Sequence, residues 1–204
     1  MPPAPVLRKV RSALSPCSRS LSLRSGLIEV LALVSLVLAA PTAEPGAAPD
    51  PFSVFQVQPF QEPIPAPPLS LEGTDGRRLR LADLKGKVVF LNFWATWCVP
   101  CRQEMPAMQR LFREYRERGL AVVAINFMES KDAVDRFFKE LHLDFPTALD
   151  PDGATARTFT VRGLPVTFLL GRDGRILWKA IGSRDWDSAT GRAYFEYVLQ
   201  ATRP

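Results

Sequence analysis

NFWATWCVPCRQEMP, residues 92–106, sets Cys98 and Cys101 three positions apart, directly after the apolar run VVFLNFW at 88–94. These are two of the three cysteines in the chain. A purely structural bridge across so short a loop removes little entropy from the unfolded chain. Half of a zinc site needs a second pair of ligands. Beyond the pair the chain offers only Cys17, far upstream, and its single histidine, His142, which reads as a loop residue. The favoured reading is a dithiol that is made and broken in use, with no metal. A strand over 88–94 followed by a helix from about Cys98 puts the first sulfur at a helix N-terminus, where unpaired N–H groups and the macrodipole favour an anion. That stabilises the thiolate, the reactive form. Pro100 falls at an early helical position, where its fixed φ suits the helix and its missing N–H costs nothing. One turn then carries Cys101 under Cys98, close enough for a disulfide.

The chain has 204 residues and 47% hydrophobic content, enough for one core of ordinary domain size. Its net charge of +5 is local. Arg8, Lys9, Arg11, Arg19 and Arg24 all precede the first acidic residue, Glu29, and account for the whole excess. The rest is formally neutral and carries no basic footprint for nucleic acid.

Residues 1–40 read as a basic N-terminus followed by LIEVLALVSLVLAA at 27–40, a signal peptide or signal anchor. As a helix this run covers about 21 Å, short of a hydrocarbon core of about 30 Å. Snorkelling by Arg24 and local thinning can make up the difference, so cleavage and anchoring both stay open. In either case the basic flank stays inside and the remainder is exported. A transit peptide is the rival reading, because the first 26 residues are rich in Arg and Ser and lack acids. The span 41–68 holds nine prolines and reads as an extended linker, with Phe52, Phe55 and Phe60 as apolar islands able to dock.

The domain is expected over 69–204. LSLEGTDGRRLRL at 69–81 has two alternating runs around a turn, a hairpin signal. After the 88–94 strand, Met105, Met108, Leu111, Phe112 and Tyr115 mark the inner face of the next helix. LAVVAINF at 120–127 predicts a second buried strand, and Ser130 begins an amphipathic helix. A short helix near 154–159, a hairpin of VTFLLG at 166–171 with RILWKAIG at 175–182, and a helix over 188–201 complete the chain. Strands alternating with helices, then a hairpin and a helix, predict an α/β domain whose mixed sheet is covered on both faces.

A strand, a CxxC pair and a helix in this order are a thioredoxin-like signal, and NFWATWCVPCRQEMP resembles the motif of the TlpA/ResA branch of the thioredoxin family. The resemblance spans roughly 69–201. It includes GLPVTFLLGRDG, similar to the family's cis-proline loop, the late SRDWDS, and the strand and helix inserted centrally between the redox helix and that loop. It implies a thioredoxin-like fold with an N-terminal β-hairpin and a membrane-anchored or periplasmic thiol-disulfide oxidoreductase that needs no cofactor beyond its own Cys98–Cys101 disulfide. It further implies that Cys98 attacks a client disulfide and that Cys101 resolves the mixed disulfide. Thioredoxin has a buried Asp six positions before the first cysteine. Here that position is Asn92, which cannot ionise. Glu104 matches the acid of the TlpA/ResA motif and is expected to be partly desolvated and to handle the Cys101 proton; its alternative is a helix-surface Glu. Pro165 resembles the cis-proline, which would free the backbone of Leu164 to pair with an extended client; its alternative is a trans proline opening a strand. Trp97, Val99 and Pro100 are expected to rim the site, and Trp94 to lie in the core.

Three functions follow from these residues. One is a reductase of disulfide-bearing proteins, fed by a thiol-type electron donor in the bacterial inner membrane and serving cytochrome c maturation or copper-centre assembly. The second is an oxidase that introduces disulfides. The third is a non-catalytic module that holds copper or docks a client. Val-Pro between the cysteines resembles reducing family members and favours the first.

Overall fold

The computed structural model describes residues 50–201. The readings placed on Cys17, on the apolar run at 27–40 and on the first part of the linker lie outside the described residues. In chain order the elements are α1 (Pro51–Phe55), β1 (Gln58–Pro65), β2 (Ser70–Gly73), β3 (Arg78–Arg80), β4 (Val88–Trp94), α2 (Val99–Tyr115), β5 (Leu120–Phe127), α3 (Lys131–Glu140), β6 (Thr147–Asp150), α4 (Ala154–Thr158), β7 (Val166–Leu170), β8 (Arg175–Ile181) and α5 (Ala189–Ala201). Among them no helix is long and apolar enough to cross a membrane.

The eight strands form one mixed sheet in the order β1-β8-β7-β4-β5-β6-β2-β3. β4 sits near its middle, parallel to β5 and antiparallel to β7. All seven of its residues are buried, which is why it reads as a continuous apolar run rather than an alternating one. Successive side chains go to opposite faces. Val88, Phe90 and Trp94 join one core with Met105, Met108 and Leu111 of α2, Val134 and Phe137 of α3, and Tyr194 and Phe195 of α5. Val89, Leu91 and Phe93 join the other, with Phe168 of β7, Ala156 of α4 and Phe159 just beyond it. The fold is thioredoxin-like, with helices on both faces and the expected hairpin formed by β2 and β3.

The expected linker is corrected here: in its described part it belongs to the fold. Asp50 caps α1 by accepting from the N–H groups of Phe52 and Ser53 at 3.2 and 3.1 Å, and Pro51 occupies the first turn. This short turn inserts Phe55, 2% exposed, among Trp178, Trp186, Tyr194 and Phe195. Burying such a ring contributes about 2–3 kcal/mol. Phe52 remains exposed and Phe60 packs on the second core. β1 then pairs antiparallel with β8 as an edge strand, despite Pro59, Pro63 and Pro65. Prolines are tolerated there because one side of an edge strand needs no N–H donors.

Candidate active site

β4 delivers the chain to the head of α2. Cys98 is the N-cap of α2, and its Sγ accepts from the Cys101 N–H at 3.3 Å. The two sulfurs are bonded at 2.09 Å, with Cα atoms 5.3 Å apart. Cys98 keeps 5% of its surface accessible and Cys101 none. Trp97 and Val99 flank them at 64% and 63% exposed, and Pro100 is also exposed. Trp94 is fully buried. An attacking partner therefore meets Cys98 first, across an apolar rim.

Glu104 lies one turn after Cys101 and is 1% exposed. Three N–H groups point at its carboxyl. Asn92 Nδ2 donates to Oε1 at 2.8 Å, and Trp186 Nε1 and the Arg184 backbone N–H donate to Oε2 at 2.8 and 3.3 Å. Burial nevertheless dominates and pushes the Glu104 carboxyl up to about 7, the donors from Trp186, Asn92 and Arg184 offsetting part of the rise. Asn92 also donates to Thr167 Oγ1 at 2.9 Å, across the β4–β7 pairing that sets the two residues opposite each other. The amide that cannot ionise here is a donor that holds the acid.

The Trp186 indole that serves Glu104 is itself wedged in place. Its ring stacks on Trp178 at 5.9 Å and 8°, and Phe55 packs against it at 5.1 Å. Arg184 Nε donates to the Phe55 carbonyl at 2.6 Å. Trp186→Phe removes the N–H and keeps an aromatic ring. The Glu104 carboxyl is then expected to titrate above about 7, because a donor to the charged form is lost; carbon NMR of the labelled carboxyl measures it.

The register that pairs Phe93 with Val166 brings the Leu164–Pro165 bond to the end of β4 from which the cysteine loop departs. That bond is cis. Pro165 is buried, and Leu164 packs against both cores, including the one that holds the cysteines. The backbones of Arg162, Gly163 and Leu164 make no hydrogen bond to the described residues. His142 is an exposed loop residue at φ 53°.

Four residues of this arrangement carried no signal as site residues in the sequence. Trp186 and Arg184 lie within the late SRDWDS segment and about eighty positions from Glu104. Glu129 accepts from the Thr96 N–H at 2.7 Å, from Thr96 Oγ1 and from Asn126 Nδ2, tying the turn before Cys98 to the end of β5. Thr167 is visible only through the strand register. Buried polar residues on otherwise apolar strands, Asn92, Asn126 and Thr167, were the available clue.

Residues 64–179 match the model of the AhpC/TSA family. The thiol-disulfide oxidoreductase ResA of Bacillus cereus is 40% identical over 126 residues, spanning 62% of this chain and 73% of that one. The chain belongs to the AhpC/TSA family, in its ResA-like branch. ResA of Bacillus subtilis is 43% identical over 118 residues, 58% of this chain and 66% of its own. Among solved structures, a thiol:disulfide interchange protein of the DsbE kind from Chlorobium tepidum superposes with a TM-score of 0.63 at 34% identity, over 69% of this chain and 99% of that one. Like these ResA-like relatives, the chain is a thiol-disulfide oxidoreductase acting on disulfide-bearing proteins.

Proposed function

We propose that the chain is an exported reductase of protein disulfides, in which Cys98 attacks, Cys101 resolves and Glu104 moves the proton. In the reduced protein the Cys98 thiolate attacks a client S–S bond, forming a mixed disulfide and releasing one client sulfur, which takes up a proton. Glu104 accepts the Cys101 proton. The Cys101 thiolate attacks Cys98 Sγ, the second client sulfur leaves as a thiol, and the protein keeps the two sulfurs bonded to each other. Two electrons pass from the protein dithiol to the client. The observation that carries this reading is the asymmetric pair at the head of α2, with Cys98 at the N-cap and reachable, Cys101 enclosed, and Glu104 buried one turn further on; burial pushes that carboxyl up to about 7, a range suited to a proton acceptor.

Trp97, Val99 and Pro100 form the apolar rim a client meets, and the backbone at 162–164, which makes no hydrogen bond to the described residues, offers it a place to add as an extended segment. The apolar run at 27–40 holds the domain on the periplasmic face of a bacterial inner membrane or directs its export there. A thiol-type donor in that membrane restores the dithiol. Clients are apocytochrome c or proteins that assemble copper centres. The Val-Pro dipeptide between the cysteines supports the reducing direction over the oxidising one.

The reduction potential of the Cys98–Cys101 pair tests the direction. Because α1 and β1 belong to the folded unit, the full chain is the sample, equilibrated against glutathione and dithiothreitol buffers. A value near that of thioredoxin, about −270 mV, is expected, and one near about −120 mV would make the protein a disulfide donor.

A further inference from the structure

A cavity of about 400 Å³ borders the segment before the cis Leu164–Pro165 bond and the start of β7, lined by Thr160, Arg162, Gly163, Val166, Lys179 and Ile181. The disulfide chemistry makes no use of it. Arg162 and Gly163 are among its walls, so it adjoins the backbone at 162–164 that makes no hydrogen bond to the described residues. Part of its wall is apolar: Val166 and Ile181 pair across β7 and β8, and Ile181 is 58% exposed. The rest is cationic. Arg162 is exposed, and Lys179, half-buried, lies over the Phe168 ring at 5.4 Å and donates from Nζ to the Thr160 carbonyl at 3.3 Å.

Among the described residues, neither cation has a carboxylate within ion-pair distance. Burial and, secondarily, the Arg162 charge hold the Lys179 amine below its ordinary value. Arg110 and Arg192, by contrast, share Asp187, and Arg118 meets Glu196. Two like charges around an open cavity with no counter-ion present an unmet demand for negative charge.

We propose that this cavity receives an acidic side chain of the client, so that the protein selects disulfides flanked by Asp or Glu. The inference rests on the reductase reading and on the client adding along 162–164. In an extended pairing, side chains two positions apart share a face and lie about 6.6 Å apart. A client cysteine opposite Leu164 therefore puts the residue two positions away opposite Arg162, at the mouth of the cavity. Val166 and Ile181 cover the methylenes of the acidic side chain while Arg162 and Lys179 meet its carboxylate.

The test uses the reduced full-length chain and peptides closed by an internal disulfide, with Glu, Gln or Lys two positions from each cysteine. Single-turnover rates are read by alkylation of the released thiols and divided by the rates of the same peptides with dithiothreitol, which removes differences in intrinsic reactivity. The Glu peptide is expected to react about fivefold faster than the Gln peptide, the scale of two partly exposed charge pairs, with the preference shrinking at high ionic strength. Arg162→Glu should move the preference to the Lys peptide. Equal rates for the Glu and Gln peptides, or a Glu preference that survives in an Arg162→Gln/Lys179→Gln double variant, overturn the acidic subsite and leave the reductase reading standing. Failure to reduce any of the three peptides overturns both.

Discussion

Full-length chain carrying Cys101→Ser accumulates a covalent mixed disulfide between Cys98 and its client, and steady-state turnover falls by about a thousandfold or more. The asymmetry of the pair is the reason. Cys98 sits at the N-cap of α2 with part of its surface reachable, whereas Cys101 is fully enclosed and faces the core. Attack on a bulky protein disulfide is open only to Cys98. Displacement of the bound client is open to Cys101, whose Cα is 5.3 Å away. Replacing Cys101 by serine keeps the packing and removes the second nucleophile. Non-reducing electrophoresis and intact-mass measurement read the trapped species. Trapping by Cys98→Ser instead would invert the two roles.

Glu104→Gln is expected to slow resolution of the mixed disulfide by about a hundredfold at neutral pH, the lower end of what a positioned acid or base contributes. The wild-type rate should rise with pH through about 7 as the carboxyl loses its proton. The variant should lose that inflection and follow only the ionisation of the thiol. Rapid-mixing kinetics of a preformed mixed disulfide separate this step from the initial attack; an unchanged profile would remove Glu104 from the proton path.

The same substitution has an opposite effect on stability. The folded carboxyl titrates near 7 against about 4.5 in the unfolded chain, so between these values the native state binds the extra proton. Stability is therefore greatest below the unfolded value, declines as pH rises towards 7, and stays lower above it by about 3 kcal/mol. The Glu104→Gln variant carries no such penalty. Its gain at pH 8 is smaller than that figure, because the amide turns one N–H towards a ring of donors and gives up about 1 kcal/mol of hydrogen bonding. Urea denaturation of the oxidised proteins at pH 5 and pH 8 should show the wild type weakening and the variant nearly level.

The central strands and the redox helix were legible because their signals are local. An apolar run bounded by polar turns gave β4 and β5 at their observed limits, Ser130 marked the cap of α3, and Cys98 stands where α2 begins. What escaped was non-local or against propensity. β1 contains three prolines, which argue for a linker until a partner edge is known, and that edge, β8, lies more than a hundred residues on. The partners of Glu104 come from β4, from the segment after β8 and from an indole wedged by α1; no periodicity links them. Asn92 was legible as a missing acid and not as a donor, because its role depends on Glu104 being folded against it.

The two outer strands bear on how this chain behaves at high concentration. At one end of the sheet β1 presents Pro59, Pro63 and Pro65, none of which can donate to a foreign strand; at the other, β3 is three residues long and carries exposed Arg78 and Arg80. Both features discourage the end-to-end stacking of sheets through which β-proteins aggregate. If clients add as extended segments at 162–164, as proposed above, the same pairing is open to other copies of the chain, and these prolines and arginines keep the sheet's own edges from joining in it.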